Sequence, residues 1–452
     1  MNLYKFSFLI ILTIILFSCE KEDGISKETK GINKFVYDYM NQYYYWTEDM
    51  PSTNPMSQAD SKEYFNSLLF SSIDKWSFIT DDYQGLVDYF NGVQKDYGYS
   101  IRPYLWEQGS TKVVACVEFV YPNTPASDAG LKRGDVIINI NGEELSTDNY
   151  QELYSSNSIQ LGFGRITEDN ELQTLNEEVN LTAEVISINP ILKSTIFEMR
   201  TGQTIGYLAY TSFIDNSDKD LEQLFANFKS AGIDELILDL RYNGGGSVAT
   251  ANLLASMIGP SDIEGKVFIR TDYNKYFKEY FDQNYPNDET VYIDRFEGSA
   301  SNLDLSRLYV LTTPSTASAS EMVMYTLSPY MDVIQIGEQT HGKYYGSVTL
   351  EDEERDHGWA IQPIVMRAEN VDNSIDYAIG LKPDIEMQDD VFTYSELGSL
   401  DDNMVAVAIN EITKESSTAE LLKSTQKGRN VTTIDKPNSH PLQKDMHIVL
   451  PK

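Results

Sequence analysis

Apolar residues recur along this chain at two different spacings, and the spacing sorts it into regions. Near the start, Phe35, Tyr39 and Tyr43 fall every fourth residue and lead into Tyr43-Tyr44-Tyr45-Trp46. Side chains four apart share one helix face, so residues 31–90 are predicted helical, with the aromatic cluster as core rather than a ligand box. Farther on, Asp135-Val136-Ile137-Ile138-Asn139-Ile140 reads as a strand closed by the hairpin turn Asn141-Gly142. Leu236-Ile237-Leu238 with Leu240 reads as a buried strand ended by a glycine turn at 244–246. Strands and helices alternate from Ile205 to Ile385, an α/β pattern. Residues 396–413 predict a last amphipathic helix. Residues 414–452 are polar and are expected to be loosely ordered.

The first residues follow another logic. Lys5 precedes an apolar stretch from Phe6 to Phe17, which is too short for a typical membrane span and suits a signal-peptide core. Leu16-Phe17-Ser18-Cys19 resembles a bacterial lipobox, which makes Cys19 the lipidated first residue of the mature chain; an uncleaved anchor with a buried cysteine is the alternative. The run Glu20-Lys21-Glu22-Asp23 resembles the surface-export signal of Bacteroidetes-type lipoproteins. An outer-membrane lipoprotein is therefore expected, at the cell surface or on the periplasmic face. Residues 1–18 are read as signal peptide and 19–30 as a polar tether.

Composition narrows the function classes. The 452 residues suffice for two or three domains, and a net charge of −34 argues against nucleic acid as a partner. The four histidines, His341, His357, His440 and His447, form no HExxH spacing, so no metal site is expected. Apart from Cys19 the chain has only Cys116, set in Val113-Val114-Ala115-Cys116-Val117 and read as a buried core thiol.

The candidate chemistry lies in residues 312–346. Small residues Ser315-Thr316-Ala317-Ser318-Ala319-Ser320-Glu321 run into an apolar helix, a strand DVIQIG follows, and Lys343 sits between glycine-containing turns. A serine hydroxyl is a poor nucleophile until a base takes its proton, and a neutral lysine can be that base. Ser318-Ala319-Ser320-Glu321 also fits a capping box, with Ser318 as N-cap and Glu321 reaching back. The two readings are compatible, because free N–H groups at a helix N-terminus favour developing negative charge. His341, two residues before Lys343, could line the same cleft.

TASASE followed by a lysine in GEQTHGK resembles the carboxy-terminal processing (tail-specific) proteases. The resemblance makes Ser318 the nucleophile and Lys343 the general base. Residues 233–246, IDELILDLRYNGGG, resemble the family's L-D-L-R-x-N-x-G-G motif, with Gly244 where proline is common. By that resemblance the amides of Gly245 and Ala319 form the oxyanion hole. Many members carry a glutamine four residues after the lysine; here that position is Ser347, so either Ser347, Glu321 or another polar group orients Lys343, or the site is less active than the family norm.

Residues 117–142, VEFVYPNTPASDAGLKRGDVIINING, resemble a PDZ domain, with Tyr97-Gly98-Tyr99 at the loop that holds a peptide's terminal carboxylate. The resemblance spans roughly residues 31–390 and implies a multi-domain α/β protein. Its parts are an N-terminal helical region (31–90), a PDZ-like β-rich module (91–188), a crotonase-like protease core (189–395), and a C-terminal helix and tail (396–452). The expected function is a lipid-anchored serine endopeptidase acting on protein or peptide substrates without a cofactor. The rivals are a peptide-binding lipoprotein that has lost catalysis on the same scaffold and, with less support, a hydrolase of small esters or lactams.

Overall fold

The computed structural model describes residues 25–448 apart from 108, 168, 353–356, 373–376, 394, 416–430 and 438–445. Cys19 and the segment expected to be a lipobox lie outside the described residues.

The first helix, Lys27–Tyr43, starts four residues earlier than its sequence suggests, because the Ser26 side chain caps it by accepting from the Thr29 amide at 2.9 Å. Gly31 within it weakens the helix by about 1 kcal/mol. Burial of Ile32, Phe35, Val36 and Met40 outweighs that cost. The aromatic residues are core, as predicted. Trp46 packs on Tyr345 at 4.9 Å between ring centroids, and the Tyr45 amide donates to the Ile364 carbonyl at 2.8 Å. This region therefore buttresses the strand that follows Lys343.

The PDZ-like module is a sheet in which Tyr99–Trp106, Val113–Val120, Val136–Ile140, Ser158–Ile166 and Leu172–Thr182 pair in sequence order. Cys116 is fully buried there, and its thiol donates to the Val391 carbonyl at 3.3 Å.

The protease-like core is a six-stranded sheet in the order Ile191–Glu198, Thr204–Tyr210, Glu235–Asp239, Arg307–Thr312, Asp332–Gly337 and Ile385–Glu386. All neighbours from Thr204–Tyr210 onward are parallel. Parallel strands need crossovers, and helices Asp218–Ala231 and Ala319–Leu327 supply two of them. The last helix spans Asn403–Thr413, shorter than predicted, because Asp402 caps it by accepting from the Met404 and Val405 amides.

The tail departs from expectation. Val431–Thr433 pairs antiparallel with the PDZ-like strand Tyr99–Trp106, and Met446–His447 pairs in parallel with both Gly246–Ser247 and Tyr345–Ser347. These strands were hidden in sequence because three and two residues are too few to show a period of two.

A buried ion network joins the parts. Asp389 accepts from Arg102 and Arg133 of the PDZ-like module and from Arg241 of the core at 3.1, 2.7 and 3.0 Å. Arg241 is fully buried and also bonds Asp239 and Asp402. Three guanidinium groups hold the Asp389 carboxyl well below the usual carboxylate range against the opposing effect of its burial.

Candidate active site

Three adjacent parallel strands deliver the candidate residues from their carboxyl ends, the usual place for a site in an open α/β sheet. Glu235–Asp239 leads into the glycine loop, Arg307–Thr312 into Ser318, and Asp332–Gly337 into Lys343.

Ser318 stands at φ 64°, ψ −118°, immediately before helix Ala319–Leu327. A non-glycine residue at positive φ is strained, and such strain persists only where the surroundings enforce it. Glu321 supplies part of that enforcement by accepting from the Ser318 amide at 2.8 Å. The reciprocal capping-box contact, from the Glu321 amide toward the Ser318 hydroxyl, is in place by position but makes no hydrogen bond. The fully buried Ser318 hydroxyl has no hydrogen-bond partner among the described residues. A buried hydroxyl left free costs about 1–3 kcal/mol, which an ordinary capping serine would not incur.

Glu321 also binds the other half of the site. Its Oε2 takes both the Ser318 amide and the Lys343 amide, at 2.8 and 2.9 Å. Its Oε1 takes the Thr340 hydroxyl and the Gly342 amide, at 2.5 and 2.7 Å. One buried carboxylate thus fixes the backbone beside both candidate catalytic residues. Burial pushes the Glu321 carboxyl up, and its four hydrogen bonds oppose the shift. Lys343 is buried as well, which removes it from the class of solvated surface lysines.

The glycine loop differs from the resemblance-based reading in one respect. The Gly245 N–H is not free: it donates to the Asn243 side-chain oxygen at 2.9 Å. The Ala319 N–H, by contrast, donates no hydrogen bond among the described residues, nor does that of Gly244. Asn243, to which the motif assigned no role, organises this corner. Its carbonyl accepts from the Ala317 amide and the Ser320 hydroxyl at 3.1 and 3.0 Å, and its side chain donates to the Tyr210 carbonyl at 3.0 Å.

Ser347 is buried, and its hydroxyl donates to the Met446 carbonyl at 3.1 Å. A glutamine does reach it in space. Gln362, on a strand of its own, donates to the Ser347 hydroxyl at 3.0 Å and accepts from Thr349 at 2.7 Å. A search near Lys343 in sequence misses this residue because it is 15 positions from Ser347. The His341 amide donates to the Thr316 carbonyl at 2.9 Å, so the backbone of this loop also touches the segment before Ser318.

Tyr97-Gly98-Tyr99 lies at the start of strand Tyr99–Trp106. Gly98 has φ +89°, and a Cβ there would meet the Thr124 side chain at 2.2 Å, so the position requires glycine. Its amide is already given to the Asp96 carboxylate at 2.6 Å. Tyr97 and Tyr99 stand with ring centroids 6.1 Å apart, and the Tyr97 hydroxyl donates to the Ser156 carbonyl.

Comparison with known proteins agrees with this organisation. The Peptidase S41 N-terminal domain matches residues 31–78, a PDZ domain matches 117–158, and Peptidase family S41 matches 204–387. The chain belongs to peptidase family S41. The carboxyl-terminal-processing protease of Synechocystis sp. is 25% identical over 319 residues, 70% of this chain and 68% of that protein. The carboxy-terminal processing protease CtpA of Bacillus subtilis is 25% identical over 278 residues, 62% of this chain and 54% of the relative. A solved structure from Bacteroides fragilis NCTC 9343, assigned to the S41 proteases, superposes with a TM-score of 0.69 at 26% identity. It covers 85% of this chain and 98% of that one.

Proposed function

We propose that this S41 family member is an exported, lipid-anchored serine endopeptidase that cuts peptide bonds with a Ser318–Lys343 dyad. The observation that carries the reading is the Glu321 carboxylate. It holds the Ser318 and Lys343 amides on one oxygen atom, while the Ser318 hydroxyl stays unpartnered and its backbone strained.

In this reading neutral Lys343 takes the Ser318 hydroxyl proton as the oxygen attacks a peptide carbonyl. The Ala319 amide at the helix start donates to the developing oxyanion; one such donor is worth roughly 3 kcal/mol of barrier. A second donor comes from the glycine loop, either Gly244 or Gly245 once a substrate oxygen replaces the Asn243 side chain. Protonated Lys343 then gives its proton to the leaving amine. Lys343 next deprotonates a water, which releases the acyl group and restores the serine. Cys19 carries the lipid, and the polar segment behind it leads to the first helix.

The reading is tested with the soluble chain beginning after Cys19, incubated with an unfolded model protein from pH 6 to 10. Cleavage should rise as a lysine-like group deprotonates and should vanish in Ser318→Ala and Lys343→Ala. Cleavage that survives Ser318→Ala would overturn the assignment. Labelling with radioactive palmitate in cells, lost in Cys19→Ser, tests the anchor.

A further inference from the structure

The tail occupies two places that an extended peptide would be expected to fill. Residues 431–433 run antiparallel along Tyr99–Trp106, with Val431 opposite Trp106 and Thr433 opposite Tyr104. The Ile434 amide donates to the Pro103 carbonyl at 3.1 Å, and Lys436 binds the Glu118 carboxylate and the Ser100 hydroxyl at 2.5 and 3.0 Å. The opposite wall is helix Tyr150–Tyr154, whose Tyr150 hydroxyl donates to the Asp435 carbonyl at 3.0 Å. The segment thus lies between strand and helix and heads toward the Tyr97-Gly98-Tyr99 loop. That is the polarity of a peptide added to a PDZ groove. The Gly98 amide of that loop is given to the Asp96 carboxylate at 2.6 Å, and the sequence continues beyond Lys436.

The second place is a slot in the candidate active site. Gly246–Ser247 begins one residue after Gly245, and Tyr345–Ser347 begins two residues after Lys343. Between them lies Met446–His447, registered as Gly246 with Met446, and Ser247 and Ser347 with His447. Met446 is fully buried, its carbonyl accepts from the Ser347 hydroxyl at 3.1 Å, and the Ile448 amide donates to the Ser347 carbonyl at 3.1 Å. His447 packs against Phe90 in a tilted arrangement, with ring centroids 4.4 Å apart. Without this strand, both flanking strands would present open edges that template another strand.

We propose that residues 431–436 and 446–448 act as a pseudosubstrate in cis: the chain's own tail fills the PDZ-like groove and the strand slot between Gly246–Ser247 and Tyr345–Ser347, and must leave before another extended peptide can enter. This rests on the reading of Ser318 as the nucleophile. Peptide affinity and cleavage are both measured, so the two ideas can fail separately.

The binding test uses the full chain after Cys19 with Ser318→Ala, and a fluorescent peptide with the sequence of residues 431–448. Ile448→Pro removes the amide that bonds Ser347, Ile434→Pro removes the one that bonds Pro103, and the double variant should bind the peptide at least tenfold tighter than the intact tail. With Ser318 restored, the same double variant should cleave unfolded protein at least tenfold faster. Equal peptide affinity with intact and altered tails overturns the proposal, even if cleavage occurs. Tighter peptide binding with no cleavage by any variant upholds the cis occupancy and defeats the protease reading. The unaltered chain provides a check that needs no variant. Excess peptide should speed hydrogen exchange at the Ile434 and Ile448 amides, and unchanged protection would count against the proposal.

Discussion

Glu321→Gln removes one charge and changes few atoms, so it isolates what the buried carboxylate does. Glutamine keeps one acceptor oxygen and places an NH2 group where the other was. With the NH2 toward the Ser318 and Lys343 amides, two buried N–H groups lose their acceptor, at about 1–3 kcal/mol each. With the NH2 toward Thr340 and Gly342, the Thr340 hydroxyl can rotate to accept, and only the Gly342 amide is stranded. The second orientation therefore wins. Adding the lost charge assistance to the two bonds that remain gives a destabilisation of about 2–4 kcal/mol. For a core of this size, Tm should fall by roughly 5–15 °C. The Gly342 amide next to Lys343 then lacks an acceptor and the Lys343 segment is held less firmly, so kcat should drop more than KM rises. Calorimetry and steady-state kinetics of Glu321→Gln against Glu321→Ala measure both effects. Alanine should be the more damaging, since it strands all four donors. A Gln variant with unchanged Tm and kcat within twofold would refute the claim that this carboxylate joins the two halves of the site.

Further expectations concern charge and pH. Asp389→Asn leaves Arg102, Arg133 and Arg241 without their shared anion and should cost about 3–5 kcal/mol at neutral pH, read by urea unfolding. Because the Asp389 carboxyl lies below its unfolded value, the wild type keeps this stability above about pH 4 and loses it as pH falls toward the folded value; the Asn variant should show a flatter acid limb. Asp218 behaves oppositely: burial pushes it up to about 6, with the nearby Asp215 adding to the shift. The Thr250 hydroxyl oxygen lies 2.8 Å from Asp218 and 2.9 Å from Asp215, and it has one proton to donate between the two carboxylates. A raised carboxyl contributes stability that is complete below about pH 4 and lost as pH rises through the folded value. Asp218→Asn should therefore remove a decline of about 1 kcal/mol between pH 5 and 7, the figure being reduced for solvent screening at this half-exposed group. A wild-type stability curve flat across that range would contradict it.

Much of the candidate site was legible because its parts are local. Ser318, Ala319 and Glu321 are contiguous in effect, and Lys343 follows after one helix and one strand, so motif and spacing carried them. The aromatic residues at spacing four were legible for the same reason, since one helix face reads directly from sequence. What escaped was long-range. Gln362 meets Ser347 only through sheet pairing, Asp389 collects three arginines from two regions, and Asn243 acts mainly through its backbone carbonyl. The Gly245 amide could be assigned by position, but no sequence pattern shows that the Asn243 side chain would accept its proton. The tail strands are short and polar, and they are ordered by edges supplied elsewhere in the chain.

The most direct test of the central claim is the site of covalent capture. The full chain after Cys19, with the native tail and with Ile434→Pro/Ile448→Pro, is treated with a fluorophosphonate and mapped by mass spectrometry. The account predicts a single adduct on Ser318, faster in the tail variant and abolished by Lys343→Ala. An adduct on another serine, none in either chain, or labelling of Ser318 that is indifferent to Lys343 would contradict it.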